Sequence, residues 1–402
     1  MPIKYITRFR EFVLYLLLFA STFSNAFVEV CTGITIFFFL VSKALRKDAR
    51  IPKNPATVFL VMYWGVIILS MVRSGFFPEC VQGFGKVMKY TFLFLAVVDL
   101  LGDDQKRLMR LFWVLIGVSG FAYINGVFQY IVGFDFMRHH TLDTLDYLRR
   151  INAGFVHAND FGAYSIMVLP WAFICFKKSL SMKVRLLLGA VCALGFWCLL
   201  HTASRGAMLG LFIGVIVFLI FFRPKFLFAV PILLAVFAVL SPDGVRRITL
   251  MFNTEHSTGW ERLQLWKGTW AMICQHPILG FGINTYSHYF PQFKPIEYPD
   301  LKYVHNCYLQ MWSEIGIVGL LVFLLLIGSI ILAVVRKLRQ KVLVGNVEGL
   351  LLLGIVSGYI AFLVHASLDT NLYSLLLQTM FWVVSAYLVS LNKVVTQRLP
   401  KE

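Results

Sequence analysis

Residues 307–335 read CYLQMWSEIGIVGLLVFLLLIGSIILAVV, with Glu314 as the single charged side chain, and the basic run Arg336-Lys337-Leu338-Arg339 follows at once. About 20 predominantly apolar residues, rising 1.5 Å each, cross the hydrocarbon core of a bilayer, so this stretch reads as a transmembrane helix. Similar stretches recur outward from it, near 12–28, 30–45, 56–72, 84–101, 108–133, 161–176, 184–201, 206–222, 225–241, 349–366 and 373–391. Together they make twelve spans, several short enough to require local thinning or half-buried ends. Of the 402 residues, 59% are hydrophobic and 14% charged, and the mean hydropathy is +0.75. A soluble domain carries about 25% charged residues. The ten-residue alternation of a barrel is absent. The expected fold is an all-α polytopic membrane protein of about twelve transmembrane helices. Its expected divisions are 1–241 (helices 1–9), 242–305 (a large loop with an amphipathic helix) and 306–402 (helices 10–12).

The net charge of +17 raises the question of nucleic acid, but its placement answers it. With both termini inside, twenty-four Lys and Arg fall in cytoplasmic segments and eleven in outer ones. That is the positive-inside pattern, so the surplus is a topology signal and no nucleic-acid partner is expected. The N-terminal MPIKYITRFR and the apolar run after it resemble a signal sequence, yet apolar character resumes directly past Ser24-Asn25-Ala26, which favours an uncleaved span. The seven cysteines form no disulfide framework, although Cys274 and Cys307 share the outer side. No Walker-type glycine loop, zinc spacing or paired-carboxylate motif stands out, so no cofactor or metal is expected. All nine histidines fall on the outer side, which marks it as the working face.

Three outer constellations carry chemistry. In His201-Thr-Ala-Ser-Arg205-Gly206, Arg205 opens a span whose Gly206, Gly210 and Gly214 have the small-xxx-small spacing of close helix packing. An arginine at a helix N-terminus near the membrane suits an anionic partner. In the long loop, Thr258 and Glu261 have capping-box spacing, and Leu263, Trp266, Trp270 and Ile273 form an apolar stripe. This reads as an amphipathic helix on the membrane surface or over the bundle, with Arg262 in its first turn able to hold phosphate. The third constellation is His305-Asn306, which starts the tenth span at the membrane surface. Glu314, nine residues on, faces away from His305 in a continuous helix. Weaker candidates are His365 and Asp369 at i, i+4, where Asp369 has a place to orient a histidine, and Lys86 and Lys89 as further phosphate contacts. His140 and His157 give the shorter outer loop acid–base candidates of its own.

Together the segments Thr202-Ala-Ser-Arg205-Gly206, Arg262-Leu-Gln-Leu-Trp266, His276-Pro277-Ile-Leu-Gly280-Phe-Gly282-Ile-Asn-Thr-Tyr286 and His305-Asn306 with Glu314-Ile-Gly316-Ile-Val-Gly319 resemble the O-antigen ligase and polymerase superfamily of membrane glycosyltransferases. Gly154-Phe-Val-His157-Ala-Asn159-Asp160 adds to the likeness, which covers roughly residues 150–325. The resemblance implies a GT-C-like bundle in the bacterial inner membrane with a periplasmic active site. It implies metal-independent, inverting transfer of a glycan from undecaprenyl diphosphate to a sugar hydroxyl of lipid A–core, with Arg205 and Arg262 on the diphosphate and His305 as general base. The membrane lipids, the lipid-linked glycan and the acceptor would be its partners. The closest alternative is a repeat-unit polymerase with the same donor chemistry. A secondary transporter of an anionic solute fares worse, because the informative charges sit at the outer ends of spans rather than near the midplane.

Overall fold

A computed structural model of the protein describes residues 3–48, 50–52, 54–145, 148–177, 180–228, 258–294, 303–340 and 346–397. The helices are α1 (Ile3–Ala20), α2 (Asn25–Leu45), α3 (Thr57–Met71), α4 (Phe77–Leu101), α5 (Gln105–Val132) and α6 (Ala158–Val168), the last running on as a 3₁₀ segment over Leu169–Phe176. There follow α7 (Met182–Thr202), α8 (Arg205–Phe222), α9 (Thr258–Gln275), α10 (Tyr286–Tyr289), α11 (Cys307–Leu338), α12 (Val347–His365) and α13 (Leu375–Gln397). Among the described residues, seven helices (α2, α5, α7, α8, α11, α12 and α13) are long and apolar enough to cross a membrane. The span expected at 225–241 lies outside the described residues beyond Phe228, as does all of 242–257. One feature departs from the all-α expectation: a short antiparallel ribbon pairs β1 (Asp143–Leu145) with β2 (Leu148–Arg150), Asp143 opposite Arg150.

Burial sorts the bundle. The apolar stretches of α12 and α13 are 72% and 83% buried, whereas that of α7 is only 22% buried, so α12 and α13 form the centre and α7 lies on the lipid-facing outside. α8 packs on α12 and α4 on α13. The glycine spacing of α8 explains its fit. A Cβ on Gly210 would stand 2.5 Å from the Ala361 carbonyl oxygen, and one on Gly214 2.8 Å from that of Ser357, so the two backbones touch. At the opposite end of the bundle the buried Arg10 donates to Asp99 at 2.9 Å, and Arg46 meets the same carboxylate at 2.8 Å. Charges read from sequence as topology signals thus also tie α1, α2 and α4 together.

Two quoted glycine motifs are halves of one joint. α11 breaks at Gly316, where φ is 70° and ψ 177°. The segment after α9 fills the break: Phe281 N–H donates to the Ser313 carbonyl (3.0 Å) and Gly282 N–H to that of Glu314 (2.8 Å). In return, Ile317 N–H donates to the Pro277 carbonyl at 2.9 Å. A Cβ on Gly316 would lie 2.0 Å from the Ile278 oxygen, which no side-chain adjustment relieves. We expect Gly316→Ala to lower stability by about 3 kcal/mol or more. Gly328→Ala on the same helix has open space around it and should melt like wild type. Equal thermal midpoints for the two detergent-solubilised variants would refute the joint.

Candidate functional site

A turn with Ala203 at φ 52° separates α7 from α8. Ser204 caps α8, its hydroxyl accepting from Ala207 N–H at 3.4 Å. Arg205 is therefore the first helical residue and stands exposed at the rim of a cavity of about 580 Å³. Arg262 of α9, His305, Asp369, Arg150 and Asn159 line the same cavity. Five of the residues singled out from sequence, Arg205, Arg262, His305, His365 and Asp369, are thus brought together from elements far apart in the chain.

The helix forms, and the expected stripe divides between its faces. Leu265, Thr269, Met272 and Ile273 are buried, while Leu263 and Trp270 are each 52% exposed. The i, i+4, i+7, i+8 face set by Leu265 wins because it closes over Tyr286 and Phe290. Trp266 Nε1 donates to the Val304 carbonyl at 3.1 Å, fixing α9 to the residue before His305.

His305 has φ 52°, a left-handed conformation uncommon outside glycine. Asn306 is the N-cap of α11, its side chain accepting from the Tyr308 and Leu309 N–H groups, so the helix starts directly after His305. The His305 ring places Nδ1 3.1 Å from Asp369 Oδ1. Nε2 is then the nitrogen left to serve the cavity. The sequence pairs Asp369 with His365 by spacing, yet the partner it holds is His305. His365 is buried against Gly206, with Nε2 3.5 Å from Ser204 Oγ, and packs α12 on α8.

Asp369 is satisfied on both oxygens. Oδ1 also accepts from Thr370 N–H at 2.8 Å; Oδ2 accepts from Asn159 Nδ2 at 2.6 Å and from Arg262 Nη2 at 3.5 Å. Burial pushes its carboxyl up, but the His305 hydrogen bond and the neighbouring positive groups outweigh it and hold the carboxyl well below the ordinary aspartate value of 3.8. Arg150 was counted in the sequence only as an outer charge. It is buried, donating to Asn159 Oδ1 at 2.5 Å and to the Thr202 carbonyl at 2.6 Å. The chain Arg150–Asn159–Asp369–His305 braces the imidazole from behind. Asn159 lay in a quoted motif, whereas nothing local to Arg150 signals its part.

Cys307 is buried and donates its Sγ to the Asp369 carbonyl at 3.1 Å, whereas Cys274 is exposed; both are free thiols. Lys86 does not join the arginines. It donates to Asn284 Oδ1 at 3.3 Å and lines a separate cavity of about 160 Å³ with Glu314. Lys89 is ion-paired with Glu29 at 2.5 Å. Glu314 is kept from His305, as read, although in a helix that breaks two residues later. His140 Nδ1 is 3.4 Å from the Phe155 carbonyl oxygen, and His157 is the N-cap of α6.

Residues 190–324 match the family model described as O-Antigen ligase. That region includes Arg205, Arg262 and His305. Over 328 residues the chain is 21% identical to the teichuronic acid biosynthesis protein TuaE of Bacillus subtilis (strain 168), covering 74% of this chain and 63% of that relative. The chain thus spans less than two thirds of that protein's length. It is 25% identical over 355 residues to an O-antigen ligase of Salmonella typhimurium (strain LT2), covering 81% of this chain and 84% of the relative. The matched region holds the turn before α8, the start of α9 and the start of α11, and these are the three places where the cavity's arginines and histidine arise. The chain is thus a multi-pass membrane protein that is similar, over residues 190–324, to the O-antigen ligase family.

Proposed function

We propose that the protein is an O-antigen ligase that transfers a glycan from undecaprenyl diphosphate to a sugar hydroxyl of lipid A–core. In this reading it sits in the bacterial inner membrane with both termini cytoplasmic and works on the periplasmic face. The carrying observation is the single cavity in which Arg205 and Arg262 face a histidine already oriented by a buried carboxylate. His305 Nε2 takes the proton of the acceptor hydroxyl as its oxygen attacks the anomeric carbon. The bond from that carbon to the diphosphate breaks on the opposite face, which inverts the anomeric centre. Arg205 and Arg262 neutralise the charge that grows on the departing diphosphate, a fixed electrostatic stabilisation that matters most in the transition state. Diphosphate is a good leaving group, so the reaction as read needs neither a nucleotide nor a metal.

A repeat-unit polymerase of the same superfamily, with the same donor chemistry and a lipid-linked glycan as acceptor, is the second reading. A lipopolysaccharide gel from a deletion strain, with lipid-linked glycans extracted alongside, separates the two. Bare core with long polymer stranded on the carrier is the expected result; core bearing one repeat unit would mean the polymerase; an unchanged pattern would sink both. Complementation with Arg205→Lys should restore transfer about 10- to 100-fold less well than wild type, because a point charge cannot replace a planar two-donor grip.

A further inference from the structure

The second cavity, beside Lys86, lies outside the machinery just described. It measures about 160 Å³ and is lined by Lys86, Gln310, Glu314, Tyr303, Tyr373 and Gln378. It continues inward into a space of about 60 Å³, with which it shares Glu314, Tyr373 and Gln378. Its chemistry differs from that of the arginine cavity. One cation and one carboxylate balance each other, and the remaining polar side chains are amides, phenols and the Ser287 hydroxyl. Gln310 is 2% exposed and donates Nε2 to Glu314 Oε1 at 3.4 Å. Its Oε1 is buried with no hydrogen-bond partner among the described residues. Tyr303 and Tyr373 stand 6.3 Å apart, ring centre to ring centre. Aromatic faces with carboxamide and carboxylate partners suit a ring that carries hydroxyls on its edge and C–H groups on its faces. An anionic ligand would find a single lysine offset by Glu314.

The position also fits. Tyr303 precedes His305 by two residues and Tyr373 follows Asp369 by four, so the two short segments that carry the His305–Asp369 pair also wall this cavity. We infer that it is a subsite for an uncharged sugar residue of one of the two glycan substrates. The inference rests on the glycan-transfer reading for its place in the reaction, but binding tests it independently of turnover.

The test uses saturation-transfer NMR on the full-length protein in nanodiscs, with two lipid-free probes from the same strain: core oligosaccharide and a single O-antigen repeat unit. Gln378→Leu and Tyr303→Ala alter only the second cavity, one by near-isosteric loss of an amide and one by loss of a partly exposed ring. Binding of the core oligosaccharide weakened about tenfold or more in both variants would establish an acceptor subsite. The same loss confined to the repeat unit would establish a donor subsite. If both probes bind the variants as tightly as wild type, or neither binds wild type, the inference is overturned. A parallel transfer assay tells the two failures apart. Probe binding lost in the variants, with no transfer by wild type, leaves the subsite and removes the ligase reading. Normal transfer with unaltered probe binding does the reverse.

Discussion

His305→Asn is expected to lower the rate of glycan transfer by about 10²- to 10⁴-fold, the usual contribution of a positioned general base. Asparagine is the informative replacement because residue 305 has φ 52°, a conformation that Asn adopts more readily than Ala. The variant should therefore insert and fold, and α11 should still start at its Asn306 cap. His305→Ala should lose transfer equally, with a small extra cost in stability from the left-handed backbone. Single-turnover transfer by purified protein in nanodiscs measures the effect, and retention of wild-type rate by both variants would remove His305 from the role of base.

Asp369→Asn should be nearly as damaging, and for a different reason. The carboxylate accepts from His305 Nδ1, the Thr370 amide, Asn159 and Arg262. An amide in its place presents one donor among these donors and no charge to stabilise an imidazolium. In a serine-protease triad the equivalent change costs about 10⁴-fold, through the wrong imidazole tautomer; a loss of about 10³-fold or more is expected here. Stability carries a second signature. Folding depresses the Asp369 value below 3.8, so the charged group contributes stability that is fully present above that pH and is lost as pH falls through the lowered folded value. The gap in melting temperature between wild type and Asp369→Asn should hold steady from pH 8 to about 4 and close only in stronger acid. A gap that closed near neutral pH, or an undiminished transfer rate, would contradict the arrangement.

The parts of this site visible in the sequence were those fixed by local physics. Arg205 at a helix start and the glycines after it are read from consecutive residues, and α8 seats on α12 as that spacing requires. The start of α9 followed from its capping-box spacing. What escaped were contacts that only tertiary folding creates. Asp369 lies four residues from His365, yet serves a histidine 64 residues away. Arg150 carries no pattern of its own, because the ribbon β1–β2 and the end of α7 place it. The stripe of α9 divides: Ile273 is buried, whereas Leu263 and Trp270 are exposed, as side chains that meet a membrane surface would be. Lys86 was drawn toward the phosphate by its charge alone, and the fold gives it a different cavity.

A break bonded on both sides is a welded corner rather than a hinge. α9 runs directly into the segment that crosses Gly316, and Trp266 ties the same helix to Val304, so Arg262 and His305 belong to one fixed jaw of the large cavity. On the proposed function, a bulky lipid-linked substrate would be admitted by the opposite side, where Arg205 heads a helix whose apolar stretch is only 28% buried and which packs on α12 and α6.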